Sequence, residues 1–173
     1  MSAWTRIQHI EVPGGGQASI FFSSIPQTYT DLVLVYSGRQ ETSTGASVFI
    51  NPNQLTTNQS SRYLEGDGAT VANGTFARIF TADSPSNATA NTFSNTVVYI
   101  PNYTGSTNKS FSIDSVSENN ATTAYQRISG GLWSVTDAIT SLEIIMASGE
   151  IAEYSSATLY GITKGSSGGV TVS

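Results

Sequence analysis

The sequence contains no cysteine and little charge, and both absences restrict how the fold is held together. Disulfides and thiolate metal sites are excluded, because none of the 173 residues is cysteine. Charged residues make up only 11% of the chain, against about 25% in typical globular proteins. Serine, threonine, asparagine and glycine take their place, so the polar surface must be largely neutral. Low charge reduces solubility, and it is better tolerated where neighbouring chains cover much of the surface.

Basic clusters and long apolar runs are absent as well. The seven lysines and arginines are scattered, and the net charge is −5, which argues against binding to phosphate backbones or anionic membranes. No segment approaches the roughly 18 consecutive apolar residues of a membrane span. Residues 1–10 lack the apolar region of a secretory signal. We therefore expect a protein made in the cytoplasm, with no nucleic-acid or membrane partner.

The residue types needed for catalysis or metal binding are sparse. His9 is the single histidine, which leaves a zinc site or a serine nucleophile without its usual partners. Glu65 and Asp67 are close in sequence, as in a glycosidase carboxylate pair, but the adjacent glycines favour a turn. Loops at 51–53 and 67–83 carry oxygen ligands suited to calcium, without a calcium-loop motif. We expect no enzyme activity, no metal and no cofactor.

Short β-branched or aromatic runs, separated by turn-forming residues, recur along the whole chain. The clearest is residues 31–38 (DLVLVYSG), which is apolar on both faces and is expected in the middle of a sheet or beneath a neighbouring subunit. The pattern predicts an all-β, single-domain β-sandwich, jelly-roll-like, with about ten strands and at most short helical turns. The predicted strands are 6–12, 18–22, 31–38, 47–51, 75–81, 92–100, 109–117, 127–133, 141–147 and 157–163. The predicted turns are 83–91, 119–125 and 134–139.

The chain divides into a domain and a tail. Residues 1–163 are expected to form the sandwich, and residues 164–173 (KGSSGGVTVS) a Gly/Ser-rich C-terminal arm. Two interpretations of the arm stay open: a frayed terminus, or a segment that adds a strand to a neighbouring subunit.

A few aromatic and amide side chains are candidates for contact with a glycan or a protein partner. Tyr103 and Tyr125 are predicted in loops, where tyrosine rings serve as stacking platforms for sugars. Asn102, Asn119 and Gln126 lie beside them in sequence and would supply hydrogen bonds. The alternative is that these aromatic rings belong to the core, as most aromatic residues do.

Several segments resemble small structural proteins of tailed phages that infect aquatic bacteria and cyanobacteria. They are residues 23–39, 60–68 (SSRYLEGDG), 95–126, 131–134 (GLWS) and 154–165 (YSSATLYGITKG). The resemblance implies a component of the virion surface, of the decoration or tail-surface type, and it brings no catalytic residue with it.

Two functions follow as expectations from that resemblance. The first is a capsid decoration or cement protein, which binds other virion proteins as a homo-oligomer, expected to be a trimer, and stabilises the shell. The second is a tail-fibre or tail-tip module that recognises host surface polysaccharide. A single domain suits the first function better, whereas neutral loops rich in Asn, Ser and Thr suit the second.

Overall fold

The computed structural model describes residues 4–41, 47–82, 85–118 and 122–163, which form twelve β-strands and no helix. The strands lie in two antiparallel sheets, one of eight strands and one of four. The predicted all-β sandwich is therefore confirmed, with two strands more than expected, and the predicted arm lies outside the described residues. In chain order the strands are β1 (Trp4–Glu11), β2 (Ser19–Phe22), β3 (Asp31–Ser37), β4 (Val48–Pro52), β5 (Gln59–Gly66), β6 (Val71–Phe76), β7 (Ile79–Thr81), β8 (Asn95–Ile100), β9 (Lys109–Glu118), β10 (Ala124–Trp133), β11 (Leu142–Met146) and β12 (Ser156–Ile162).

The strand order is that of a jelly roll with two added hairpins. The large sheet runs β1-β12-β3-β8-β9-β10-β5-β6, and the small sheet runs β2-β11-β4-β7. The antiparallel pairs β1·β12, β2·β11, β3·β8 and β4·β7 are nested in sequence and alternate between the sheets. Such nesting is what a long hairpin gives when it is rolled into two layers. The hairpins β5–β6 and β9–β10 are insertions that lengthen the large sheet alone.

The core lies between the two sheets. Its largest fully buried side chains include Trp133, Tyr36, Phe22 and Phe111. Each large apolar side chain buried in this way contributes about 1.5–3 kcal/mol to folding. The hydrophobic effect therefore supplies the stability that a chain without cysteine cannot obtain from disulfides.

Strand β3 occupies the central position that its sequence predicts. It pairs with β12 on one side and with β8 on the other. Leu32, Leu34 and Tyr36 point into the core, and Val33 on the opposite face is buried as well.

The far end of the large sheet packs against β7, the edge strand of the small sheet. Tyr63 of β5 and Phe76 of β6 contact the ring of Phe80, with centroid distances of 5.5 and 4.0 Å. The guanidinium of Arg127 lies 4.5 Å from the Phe80 ring centroid and forms an ion pair with Glu65. These contacts cover the inner face of β5 and β6, so the outer face of the same strands is left to solvent.

The prediction of one strand at 75–81 is wrong. Residues 71–76 form β6 in the large sheet and 79–81 form β7 in the small sheet, so the chain changes layers between Phe76 and Ile79. Strand β5, which the sequence pattern missed, is the hairpin partner of β6.

Candidate functional site on the outer sheet face

Exposed apolar side chains recur on the outer face of the large sheet. Leu64 of β5 and Ile128 of β10 are cross-strand partners, and they are 59% and 60% exposed. Val71 of β6 is 77% exposed, and Val116 of β9 and Leu132 of β10 are exposed on the same face. We call these five residues the outer patch. Apolar patches of this kind mark interaction sites on folded proteins.

A groove of about 460 Å³ lies within the outer patch. Its lining includes Arg62, Leu64, Asn73, Thr75, Ile128 and Gly130. Gly130 is central to this shape, because a Cβ atom built at this position would meet no other atom within 4 Å. The strand therefore carries a gap in its side-chain surface between Arg62 and Ser112, its two cross-strand partners.

Few charged side chains lie on this part of the sheet, and both acidic ones accept hydrogen bonds. Among the outward-facing residues of β9, β10, β5 and β6, the charged ones are Arg62, Asp114 and Glu118. Asp114 accepts a hydrogen bond from the Gln126 side chain. Glu118 accepts hydrogen bonds from the backbone N–H and the hydroxyl of Thr89. Little charge would therefore have to be desolvated if another surface covered the patch.

The patch ends at a strand edge that no other described strand covers. Strand β6 is the last strand of the large sheet, and its sequence, VANGTF, has no charge and no proline. Edge strands usually carry lysine, proline or a bulge that blocks pairing with another chain. β6 has neither lysine nor proline, which indicates that its edge is tolerated or is used in contact with another surface.

The structure places the predicted contact tyrosines differently from the sequence analysis. Tyr103 does follow β8 in a turn, but its ring is fully buried in the core, and its hydroxyl donates a hydrogen bond to the Pro26 carbonyl. The prediction of an exposed ring at Tyr103 is therefore wrong. Tyr125 is half-buried and lies in β10 rather than in a loop.

The predicted amide residues are not gathered into one site. Asn102 is exposed, and its backbone N–H donates to Asp31 Oδ1 at 2.9 Å. Gln126 is exposed on β10, next to Val116 of β9, whereas Asn102 follows the opposite end of the neighbouring strand β8. Asn119 lies outside the described residues.

The residues considered for catalysis or metal binding have local roles in the fold. His9 is exposed on β1, and its Nδ1 lies 2.7 Å from the Thr158 hydroxyl. Asp67 closes the β5–β6 turn, where its Oδ1 accepts bonds from the N–H groups of Ala69 and Thr70. These bonds hold the pKa of the Asp67 carboxyl below its ordinary value.

Within 4–41, 47–82, 85–118 and 122–163, no three histidine, cysteine or acidic side chains form a group that could hold a metal ion. In the same ranges no helix is long and apolar enough to cross a membrane.

Sequence reasoning missed the outer patch. Leu64, Asn73 and Ile128 come from three strands that only the sheet register brings together. One signal was available: Val116 breaks the alternation of polar and apolar residues in β9, and the structure shows it on the outer face with the patch.

Comparison with known proteins identifies no family for this chain. No protein-family model matches it, and no curated protein matches it.

Proposed function

We propose that this chain is a non-catalytic structural protein of a tailed-phage particle, and that it decorates the capsid by docking its outer patch on other virion proteins. The observation that carries the proposal is the exposed apolar surface around the cross-strand pair Leu64 and Ile128. The jelly roll supports it, because viral capsid proteins and lectins use this architecture. The resemblance of the sequence to phage structural proteins points the same way.

The energetics of the patch agree with a docking role. Fully burying a leucine or isoleucine side chain is worth about 1.5–3 kcal/mol. Leu64 and Ile128 are 59% and 60% exposed, so burying the rest of both would contribute about 2–3.5 kcal/mol to an interface. The low charge of the face keeps the desolvation cost small. Binding that is confined to the assembled shell stabilises the shell by mass action.

Particles that lack this protein, with purified variants added back, test the proposal. Wild-type protein is expected to sediment with the particles and to raise the temperature at which they release DNA. Ile128→Asp should abolish both effects, because it places a carboxylate in the contact. Leu55→Ser is the matched control: Leu55 is also exposed, but it lies in the β4–β5 loop outside the outer patch.

Two results would discard the decoration role. One is wild-type protein that neither sediments with particles nor changes their heat resistance. The other is equal loss of binding in Ile128→Asp and Leu55→Ser while both variants stay folded by circular dichroism.

A tail-tip module that binds host glycans is the second candidate. Exposed aromatic rings on the same sheet, at Trp4 and Tyr99, favour it. Immunogold labelling of intact particles would distinguish a head position from a tail position.

A further inference from the structure

A row of aromatic side chains crosses the outer face at the opposite end of the large sheet. Trp4 of β1 and Tyr160 of β12 are in ring contact, with centroids 5.8 Å apart and planes inclined at 53°. Tyr160 pairs with Val33 of β3, and Val33 pairs with Tyr99 of β8. Trp4 is 56% exposed and Tyr99 is 39% exposed. We infer that Trp4, Tyr160 and Tyr99, the aromatic row, form a stacking platform for an extended, β-linked hexopyranose chain.

The burial of Val33 shows how the rings are arranged. Leu32 and Leu34 point into the core, so strand alternation turns Val33 outward. Yet Val33 is only 2% exposed. Its two cross-strand partners are Tyr160 and Tyr99, so we infer that side chains of the row cover it. The planes of Trp4 and Tyr160 are inclined at 53°, so the row presents ring faces at different angles rather than one flat surface.

Polar groups flank the row at the Tyr99 end. The Tyr99 hydroxyl donates to Asp31 Oδ2 at 3.0 Å, which fixes the orientation of the ring. The other oxygen of Asp31 accepts the Asn102 backbone N–H, so one carboxylate joins Tyr99 to the turn that follows β8. At the other end of the row, the exposed Arg6 of β1 is the cross-strand partner of Tyr160. The row therefore has apolar ring faces along its centre and hydrogen-bonding groups beside them.

The chemistry of a pyranose matches this arrangement. A pyranose ring has a face of C–H groups and a rim of hydroxyls, and the electron-rich face of an aromatic ring attracts the polarised C–H groups. The backbones of Tyr160 and Tyr99 are two strand spacings apart, about 9.6 Å, so a ligand that contacts the whole row must be extended. An extended β-1,4-linked chain can reach along such a row, whereas a coiled α-1,4-linked chain cannot.

This platform is independent of the proposed capsid contact. The outer patch occupies β9, β10, β5 and β6, whereas the aromatic row occupies β1, β12 and β8, with β3 beneath it. One surface could bind a glycan while the other is docked, and either proposal can fail without the other.

The test uses the full chain with defined polysaccharides. We expect hydroxyethylcellulose, a soluble β-1,4-glucan, to retard the wild-type protein in affinity gel electrophoresis, and soluble starch, a coiled α-1,4-linked glucan, to leave it unretarded. Trp4→Ala should weaken binding about tenfold or more, because one stacked ring is lost. Tyr154→Ala is the matched control: Tyr154 is exposed, but it precedes β12 at the end of the strand opposite Ile162, the partner of Trp4.

Tryptophan fluorescence supplies a second measurement. The chain has two tryptophans, and Trp133 is fully buried, so a change in emission on titration with cellohexaose should come from Trp4. Trp4→Phe should retain binding in the gel within a few-fold, since it keeps an aromatic ring, and lose most of the fluorescence change.

Three outcomes would overturn the inference. The first is no retardation of wild-type protein by the β-linked glucan. The second is equal loss of binding in Trp4→Ala and Tyr154→Ala. The third is that Trp4→Ala loses sedimentation with particles while the wild-type protein shows no affinity for cellohexaose, which would make the row a protein contact.

Discussion

At the scale of single residues, Arg39 has an unusually large structural role for an arginine near the surface. Its guanidinium donates to four backbone carbonyls in the segment that precedes β8, those of Ser86, Ala88, Thr89 and Thr92, at 2.8–3.1 Å. A planar guanidinium can address several acceptors at once, whereas a lysine ammonium cannot reach the same set. Arg39→Lys should therefore lower the free energy of unfolding by about 2 kcal/mol.

Urea denaturation measures that loss, and hydrogen exchange should show faster exchange in residues 85–92. Arg62→Lys is the control, because the exposed Arg62 guanidinium donates to the neighbouring Ser61 carbonyl alone among the hydrogen bonds described. It should change stability by less than about 0.5 kcal/mol. Equal effects of the two substitutions would contradict this role for Arg39.

The buried hydroxyl of Tyr103 makes stability depend on alkaline pH. Burial raises the pKa of Tyr103 above its ordinary value of 10.0. Because the folded pKa is the higher one, the hydroxyl's contribution is complete below pH 10.0 and is lost as the pH rises towards the folded pKa. Tyr103→Phe should cost about 1 kcal/mol near neutral pH, through the lost bond to the Pro26 carbonyl.

That difference should shrink above pH 10, since phenylalanine has no proton to lose. Urea midpoints of the two proteins at neutral and alkaline pH measure the change. A difference that stays constant across pH 10 would show that the hydroxyl titrates alike in folded and unfolded chains.

At the scale of strands, two glycines of the outer-patch region are expected to respond oppositely to one added methyl group. A Cβ at Gly74 in β6 would lie 2.6 Å from the Tyr63 ring. That ring is held by a stacked contact with Phe76 and by the Arg127 guanidinium 4.9 Å from its centroid. Gly74→Ala should therefore destabilise the protein by about 1–3 kcal/mol. Gly130→Ala enters open space and should be neutral or stabilising by up to about 1 kcal/mol.

Thermal unfolding of both variants checks this pair. A third variant tests the groove. Gly130→Val should fill the groove with a larger side chain without unfolding the strand. Loss of stability in Gly130→Ala to the same extent as in Gly74→Ala would contradict the geometry of both sites.

The sequence predicts most strands, because their apolar runs are bounded by turn residues, but it predicts neither layers nor faces. Residues 75–81 have the pattern of one apolar segment. Tertiary packing, which the pattern does not show, divides them between β6 and β7. The sequence pattern missed β5 because its inward-facing residues include the polar Gln59, Ser61 and Glu65. Their side chains are paired with the Ile79 N–H, the Arg78 carbonyl and the Arg127 guanidinium, respectively. Most of the outer patch could not be predicted, since alternation gives two faces without saying which is covered, and only Val116 departs from the alternation. Tyr103 was misplaced because its neighbours in sequence are polar, although its ring packs in the core.

At the scale of the whole molecule, the largely uncharged surface and the edge of β6, which no other described strand covers, suggest self-association. The expected homo-oligomer remains a prediction, and light scattering coupled to size-exclusion chromatography gives its size directly. Val71→Lys adds the kind of charge that normally protects sheet edges. It should reduce association through this edge while leaving thermal stability unchanged within about 0.5 kcal/mol. A mass that is the same for both proteins would place the contact elsewhere or show that the chain is a monomer.

The nested pairing also determines how the chain must fold. Trp4 pairs with Ile162, so one edge of the large sheet forms only after the two ends of the chain meet. Closing so long a loop costs entropy and slows folding. A circular permutant that joins residues 163 and 4 through a short linker makes β1 and β12 a local hairpin. Its new ends lie between Gln27 and Thr28, which are exposed in the connection between β2 and β3, so no existing hairpin is cut. Its refolding, followed by fluorescence of the buried Trp133, should be about tenfold faster, with an unfolding midpoint close to that of the original chain. An equal midpoint with an unchanged rate would mean that the β1–β12 pair forms after the rate-limiting step.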